Sequence, residues 1–312
     1  MIKYVIKRIF SSLFIFFSAV FIVFMIFITA ANSAWEAWLA SHSDWIVMGG
    51  WRNPLFIDFL NYITGVFMGD FGWSFTGSRY LAVSDELMLR LPYTLRLGAT
   101  ALLGSILMAF PIGILSAVKK NTWIERLITS LSMLGSAMPN FMLGILLILF
   151  FSVHLGWLPS FGADSWYSVI LPAAALGTTI FASLARATHF AMLEVLEQNY
   201  IKTARAKGLS YHKVICKHAV RNVLIPVLRT LGFHIGTLFT GIIIIEYVFS
   251  WPGIGRFMVQ NIQVSHAQSI HIRLDFAMVL GILVVFIICS IALNFLIDII
   301  CAVSETRTRK HR

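Results

Sequence analysis

Six apolar stretches, at residues 9–31, 94–118, 127–153, 169–193, 223–248 and 276–303, are each long enough to cross a bilayer as a helix. Hydrocarbon offers no partner to a backbone N–H or C=O, so runs of this length must satisfy those groups internally, as helices do. Composition points the same way. Hydrophobic residues make up 58% of the chain and charged residues 12%, where an average soluble domain carries about 25% charged residues. The expected class is an all-α membrane protein with six transmembrane helices.

The distribution of lysine and arginine sets the expected orientation. Of 24 basic residues, 16 fall on one side of the six stretches. They are Lys3, Lys7 and Arg8 before the first, Lys119, Lys120 and Arg126 after the second, Lys202, Arg205, Lys207, Lys213, Lys217 and Arg221 after the fourth, and Arg307, Arg309, Lys310 and Arg312 after the last. The intervening loops hold Arg52, Arg79, Arg90, Arg256 and Arg273. This bias predicts that both termini are cytoplasmic. It also accounts for the net charge of +10, because cations scattered among membrane-bounded loops do not form a nucleic-acid footprint. A secretory signal is the rival reading of the N-terminus, but the apolar run exceeds the roughly 7 to 15 residues of a signal core. Residues 1–31 are therefore expected to carry a retained first span, 32–91 an external loop, and 92–312 a core of five spans. Cys216, Cys289 and Cys301 have no paired spacing and read as small apolar residues.

Three segments carry signals beyond hydropathy. The loop at 32–91 is too long for a bare turn and too polar to span, which predicts a small folded cap; it contains Gly69-Asp70-Phe71-Gly72-Trp73 followed by Ser74. At about 195–218 the chain reads Asn199-Tyr200-Ile201-Lys202-Thr203-Ala204-Arg205-Ala206-Lys207-Gly208-Leu209-Ser210. A short basic helix is expected there, ending in a turn at Gly208, with Ser210 placed to cap the next helix. At the outer end of the fifth stretch lies Glu246-Tyr247-Val248-Phe249-Ser250-Trp251-Pro252-Gly253-Ile254-Gly255-Arg256. Trp251 is expected as an interfacial anchor, Pro252 as a helix stop, and Gly253 and Gly255 as the residues that let the chain reverse.

These motifs resemble the peptide/nickel family of bacterial ABC importer permeases. The T-A-R-A-K-G-L run is similar to that family's cytoplasmic coupling segment, G-D-F-G-x-S to its first external loop, and E-x-V-F-x-W-P-G-I-G-R to its signature at this position. Leu91-Pro92-Tyr93-Thr94, Ala137-Met138-Pro139-Asn140-Phe141, Gly156-Trp157-Leu158-Pro159 and Ile170-Leu171-Pro172 fill the space between. The chain departs from the family at 32–52, at 264–275, and at Lys202-Thr203-Ala204, where the general permease signature has E-A-A. The resemblance implies the type I importer permease fold and a bacterial inner-membrane location. It further implies a second homologous permease, two separate ATP-binding subunits and an external solute-binding protein. The chain has no G-x-x-x-x-G-K-[ST] phosphate loop, so ATP and Mg are expected on those partner subunits and no enzyme activity is expected of this chain.

Under that reading Asn199, Tyr200, Lys202, Thr203, Ala204, Arg205, Lys207 and Gly208 couple to the ATPase; positive-inside topology alone is the plainer explanation of their charge. Pro139, Asn140 and His234 are candidates for the translocation path, the first two because a proline interrupts the third stretch. Glu246, Trp251, Pro252, Gly253 and Gly255 would form an external gate or turn. Intramembrane Arg186, Arg229 and Asp298 need partners, and Asp298 paired with either arginine is the structural alternative to substrate contact. No metal site is expected, with His234 the one candidate ligand. Di- and oligopeptides lead the cargo classes, ahead of nickel or another metal chelate and glutathione- or opine-like molecules. A channel or membrane enzyme without ATP coupling is the runner-up of another class, but no catalytic set can be assembled at matching depth.

Overall fold

The computed structural model describes residues 2–39, 55–76, 79–262, 264–265, 271–272 and 275–309. The atypical stretches at 32–52 and 264–275 lie largely outside these residues. The chain forms α1 (Ile2–Leu39), α2 (Leu55–Phe67), strands β1 (Trp73–Thr76) and β2 (Arg79–Ala82), α3 (Val83–Val118), α4 (Trp123–Ala137) and α5 (Asn140–Leu147). A π-helical segment, Ile148–His154, extends α5. There follow α6 (Ile170–Leu196), α7 (Asn199–Ala206), a single turn α8 (Tyr211–Lys213) and a second π-helical segment, Val214–Ala219, which leads into α9 (Val220–Val248). Last come α10 (Ile254–Asn261), strands β3 (Val264–Ser265) and β4 (His271–Ile272), and α11 (Phe276–Arg309).

Five of these helices are long and apolar enough to span a membrane, and the third expected span makes six only as a broken pair. A single straight helix over 127–153 is not what forms. Pro139 has no N–H to continue the ladder and pushes Met138 out of the helical region. Met138 accordingly lies at φ −86°, ψ 132°, and α4 meets the next helical arm at 106°. The second span is longer than its apolar stretch: α3 begins at Val83, well before residue 94. Its polar first turns hold together because Arg90 Nη2 lies 2.8 Å from Glu86 Oε2, an i,i+4 pair.

Two units are resolved. One comprises residues 2–93 and 253–291. Its core sets Phe16, Val20 and Phe24, one face of α1, with Phe59, Tyr62, Ile63 and Val66 of α2 and Leu280 and Val284 of α11. The rings of Phe21 and Phe59 meet edge to face at 5.0 Å. The hairpin in this unit pairs Trp73 with Ala82. Its entry turns through Gly69 and Gly72, at φ +81° and +90°, and Gly72 N–H donates to Asp70 Oδ1 at 2.8 Å. Asp275 caps α11 by accepting the Met278 N–H at 3.0 Å and takes the Ser74 hydroxyl on its other oxygen.

The other unit comprises residues 94–252 and 292–309. Here α3 and α6 come so close that a Cβ built on Gly113 would lie 2.6 Å from the Ala185 carbonyl oxygen. The Ser105 hydroxyl sits 2.9 Å from Gly177 O and 2.7 Å from Ala101 O. Small residues admit this approach where apolar lipid supplies no squeezing force. On its other side α6 packs on α9, with Leu176 reaching Gly241.

Candidate coupling and translocation sites

α7 is short because its sequence ends it. Ile201 and Ala204, three apart, turn inward and are buried, while Lys202, Thr203, Arg205 and Lys207 are exposed. At its C-terminus Gly208 N–H donates to Arg205 O at 3.0 Å and Leu209 N–H to Ala204 O at 3.4 Å. These are the paired bonds of a Schellman motif, which requires a left-handed residue at the first position past the cap. Gly208 fills it at φ +75°. Asn199 accepts the Thr203 hydroxyl at 3.0 Å, and the Tyr200 hydroxyl accepts from Asn222 Nδ2 at 2.8 Å. Arg205 lies 5.4 Å from the Tyr211 ring centroid. Ser210 occupies the N-cap position of α8 without a side-chain bond; its carbonyl instead receives the Val214 N–H at 3.1 Å.

The turn after α9 repeats this geometry with a different residue. Ser250 N–H donates to Tyr247 O at 3.2 Å and Trp251 N–H to Glu246 O at 2.8 Å. The left-handed position is Ser250, at φ +50°. Gly253 and Gly255 are therefore not the residues that reverse the chain: Gly253 is extended at φ −91°, ψ 178°, and Gly255 lies within α10. Trp251 also corrects the sequence reading. Its side chain has no exposed surface, because the turn folds it inward with Arg96 lying 5.7 Å from its ring. Arg96 donates in turn to Trp166 O at 3.0 Å. Glu246 is fully buried and accepts the Thr94 hydroxyl at 2.6 Å.

Where the third span breaks, Pro139, Asn140 and Phe141 line a recess of about 350 Å³ with Thr237, Thr240, Gly241 and Ile244 of α9. Asn140 Oδ1 accepts the Thr179 hydroxyl at 2.6 Å, which orients the amide and turns its Nδ2 toward Gly241. Thr237 and Thr240 return their hydroxyls to the backbone at His234 O and Gly236 O. His234 is half-buried and does not line the recess; its Nδ1 is buried without a hydrogen-bond partner. Arg186 spends Nη1 on Ser132 O at 3.0 Å and Ser136 Oγ at 2.9 Å, bracing the end of α4. Nearby, His189 Nε2 lies 3.4 Å from Glu125 Oε1. Among the described residues no three His, Cys, Asp or Glu side chains converge as a metal site.

Sequence reasoning picked out Asn140, Tyr200 and Glu246 but not the side chains that hold them. Thr94 stood within a noted motif, and Asn222 is an amide four residues before Pro226. Thr179 had no local signal.

Residues 109–310 match the model of a family described as binding-protein-dependent transport system inner membrane component. The chain is 39% identical over 253 residues to the glutathione transport system permease protein GsiC of Salmonella typhimurium, covering 81% of this chain and 79% of that protein. The Escherichia coli K12 protein of the same name is 38% identical over the same shares. Among solved structures, an inward-facing form of the MetNI methionine ABC transporter superposes with a TM-score of 0.57 at 19% identity, over 70% of this chain and 95% of that one. An amino acid ABC transporter crystallised with histidines gives 0.53 at 16% identity, over 70% and 94%. The structural likenesses establish a type I importer permease fold, and the sequence matches carry the rest: this chain belongs to the binding-protein-dependent transport system inner membrane components, as a multi-pass permease subunit of an ABC importer.

Proposed function

We propose that this permease passes short peptides, glutathione among them, inward across the membrane. The observation that carries the cargo reading is the 39% identity, over most of both chains, to permeases named for glutathione transport. Glutathione-like cargo is an alternative to di- and oligopeptides on sequence grounds, and because glutathione is a small peptide-like molecule this relative supports a reading that takes in both. The recess beside Asn140 suits such a cargo, because its amide and two threonine hydroxyls are neutral groups that can exchange hydrogen bonds with passing amides without trapping a charge. Pro139 and Asn140 line the path in this reading.

In the assembled transporter this chain pairs with a second permease, receives cargo from an external binding protein, and docks two ATPase subunits that hold ATP and Mg. α7, with Asn199, Tyr200, Lys202, Thr203, Ala204, Arg205, Lys207 and Gly208, is the docking element, on the cytoplasmic side with both termini. Its support is the division of labour along one helix: two buried residues hold it and four exposed polar or basic ones face outward. The turn at Glu246–Trp251 closes the external end.

A metal-chelate cargo is the second reading, resting on the unpartnered Nδ1 of His234. Uptake into proteoliposomes carrying the complete transporter separates the two, with labelled glutathione, a labelled dipeptide and nickel–histidine complexes compared at equal concentration. Peptide uptake with no nickel accumulation is expected. Nickel uptake alone would overturn the peptide reading.

A further inference from the structure

Asn222 lies beyond the segment that the sequence marks for coupling, yet its side chain ties α7 to a span. Its Nδ2 donates both to Tyr200 Oη, at 2.8 Å, and to His218 O, at 3.1 Å. One amide thus joins α7 to the last turn of the π-helical segment Val214–Ala219. Its own backbone sits at another irregularity. Pro226, four residues on, has no N–H to offer the Asn222 carbonyl, so the helical ladder of α9 is interrupted just past the clasp. Ile201 and Ala204 set which face of α7 turns inward, but apolar burial is non-directional and singles out no partner on α9. The Tyr200–Asn222 hydrogen bond supplies that specific link.

We propose that Asn222 is a positioning residue for energy coupling: it clasps Tyr200 so that a displacement of α7 is delivered to α9 between the π-helical segment and Pro226. This rests on the reading of α7 as the ATPase-docking helix. A π-helical insertion and a proline are the two places where a helix yields most readily. A clasp set between them moves a short, stiff lever instead of dissipating the displacement in a loose turn.

The complete transporter is reconstituted in proteoliposomes with its binding protein, and uptake per ATP hydrolysed is measured with labelled glutathione and, as second probe, a labelled dipeptide. Asn222→Ala and Tyr200→Phe each remove one partner of the clasp, and each is expected to lower uptake per ATP about five-fold, the effect of losing one net hydrogen bond. The double variant should be no worse than the poorer single one, because both disable the same contact. In a background with Cys216, Cys289 and Cys301 replaced by alanine, joining Tyr200→Cys to Asn222→Cys with a short bis-maleimide should restore the ratio. A merely structural role would lower the yield of assembled transporter and leave uptake per ATP unchanged; that result, or additive losses, overturns the proposal. Lys202→Glu with Arg205→Glu tests the underlying reading. If that pair leaves ATPase association intact, docking through α7 falls and the clasp with it, whereas impaired association with an unchanged ratio in the Asn222 and Tyr200 variants sinks the clasp alone.

Discussion

Gly113→Ala tests whether the close approach of α3 to α6 is structural. The added methyl would stand 2.6 Å from Ala185 O, 2.6 Å from Thr188 Cβ and 3.0 Å from Thr188 Cγ2. None of these can yield cheaply. The first is helix backbone, and Thr188 is fully buried with its hydroxyl bonded to Leu184 O at 2.7 Å. Overpacking of this kind costs about 1–3 kcal/mol, and three contacts on rigid groups place Gly113 near the top of that range. Alanine returns about 1 kcal/mol through its better helix propensity, leaving a net loss of about 2 kcal/mol. Gly104, on the same helix, has nothing within 4 Å of its built Cβ, so Gly104→Ala keeps the propensity gain without the clash. The two variants should differ by about 3 kcal/mol, two decades in the folding equilibrium. Thermal unfolding of the transporter in detergent micelles reads this difference, with Gly104→Ala at or above wild type and Gly113→Ala clearly below. Equal midpoints for the two would refute the packing argument.

Three further outcomes follow from the sites. Gly208→Ala forces an L-residue into the left-handed position and should weaken the α7 cap by about 1–2 kcal/mol, whereas Ser250→Gly relieves the same strain after α9 and should raise the unfolding midpoint; opposite signs in parallel melts are the check. Thr94→Val removes a donor from the fully buried Glu246 carboxyl at nearly constant volume, and should destabilise by about 1–3 kcal/mol, measured by thermal unfolding against Thr94→Ser, which keeps the hydroxyl. His234→Ala should leave uptake of labelled glutathione and dipeptide near wild type if peptides are the cargo, and nickel uptake by the wild type that the variant selectively loses would reverse that assignment.

Hydropathy made the spans legible because a membrane helix advertises itself locally, one apolar residue after another. Hence α6 and α9 fall close to the stretches at 169–193 and 223–248. The early start of α3 was hidden for the same reason: Asp85, Glu86 and Arg90 end the apolar run without ending the helix. Pro139 announced a break, but neither its angle of 106° nor the Thr179 hydroxyl that holds Asn140 has a local signal. Trp251 misled because aromatic residues near span ends usually sit at the interface, whereas this one is folded inward beneath Arg96. The contacts of Thr94 with Glu246 and of Tyr200 with Asn222 join residues far apart in sequence or across a turn, and no local periodicity encodes them.

The core that gathers α1, α2 and α11 has a consequence for biosynthesis. Phe16, Val20 and Phe24 are synthesised before α2 and long before Leu280 and Val284, which complete their packing. At typical synthesis rates the wait is on the order of tens of seconds. Through that interval α2 can cover part of the face, and lipid or an insertion chaperone must cover the remainder.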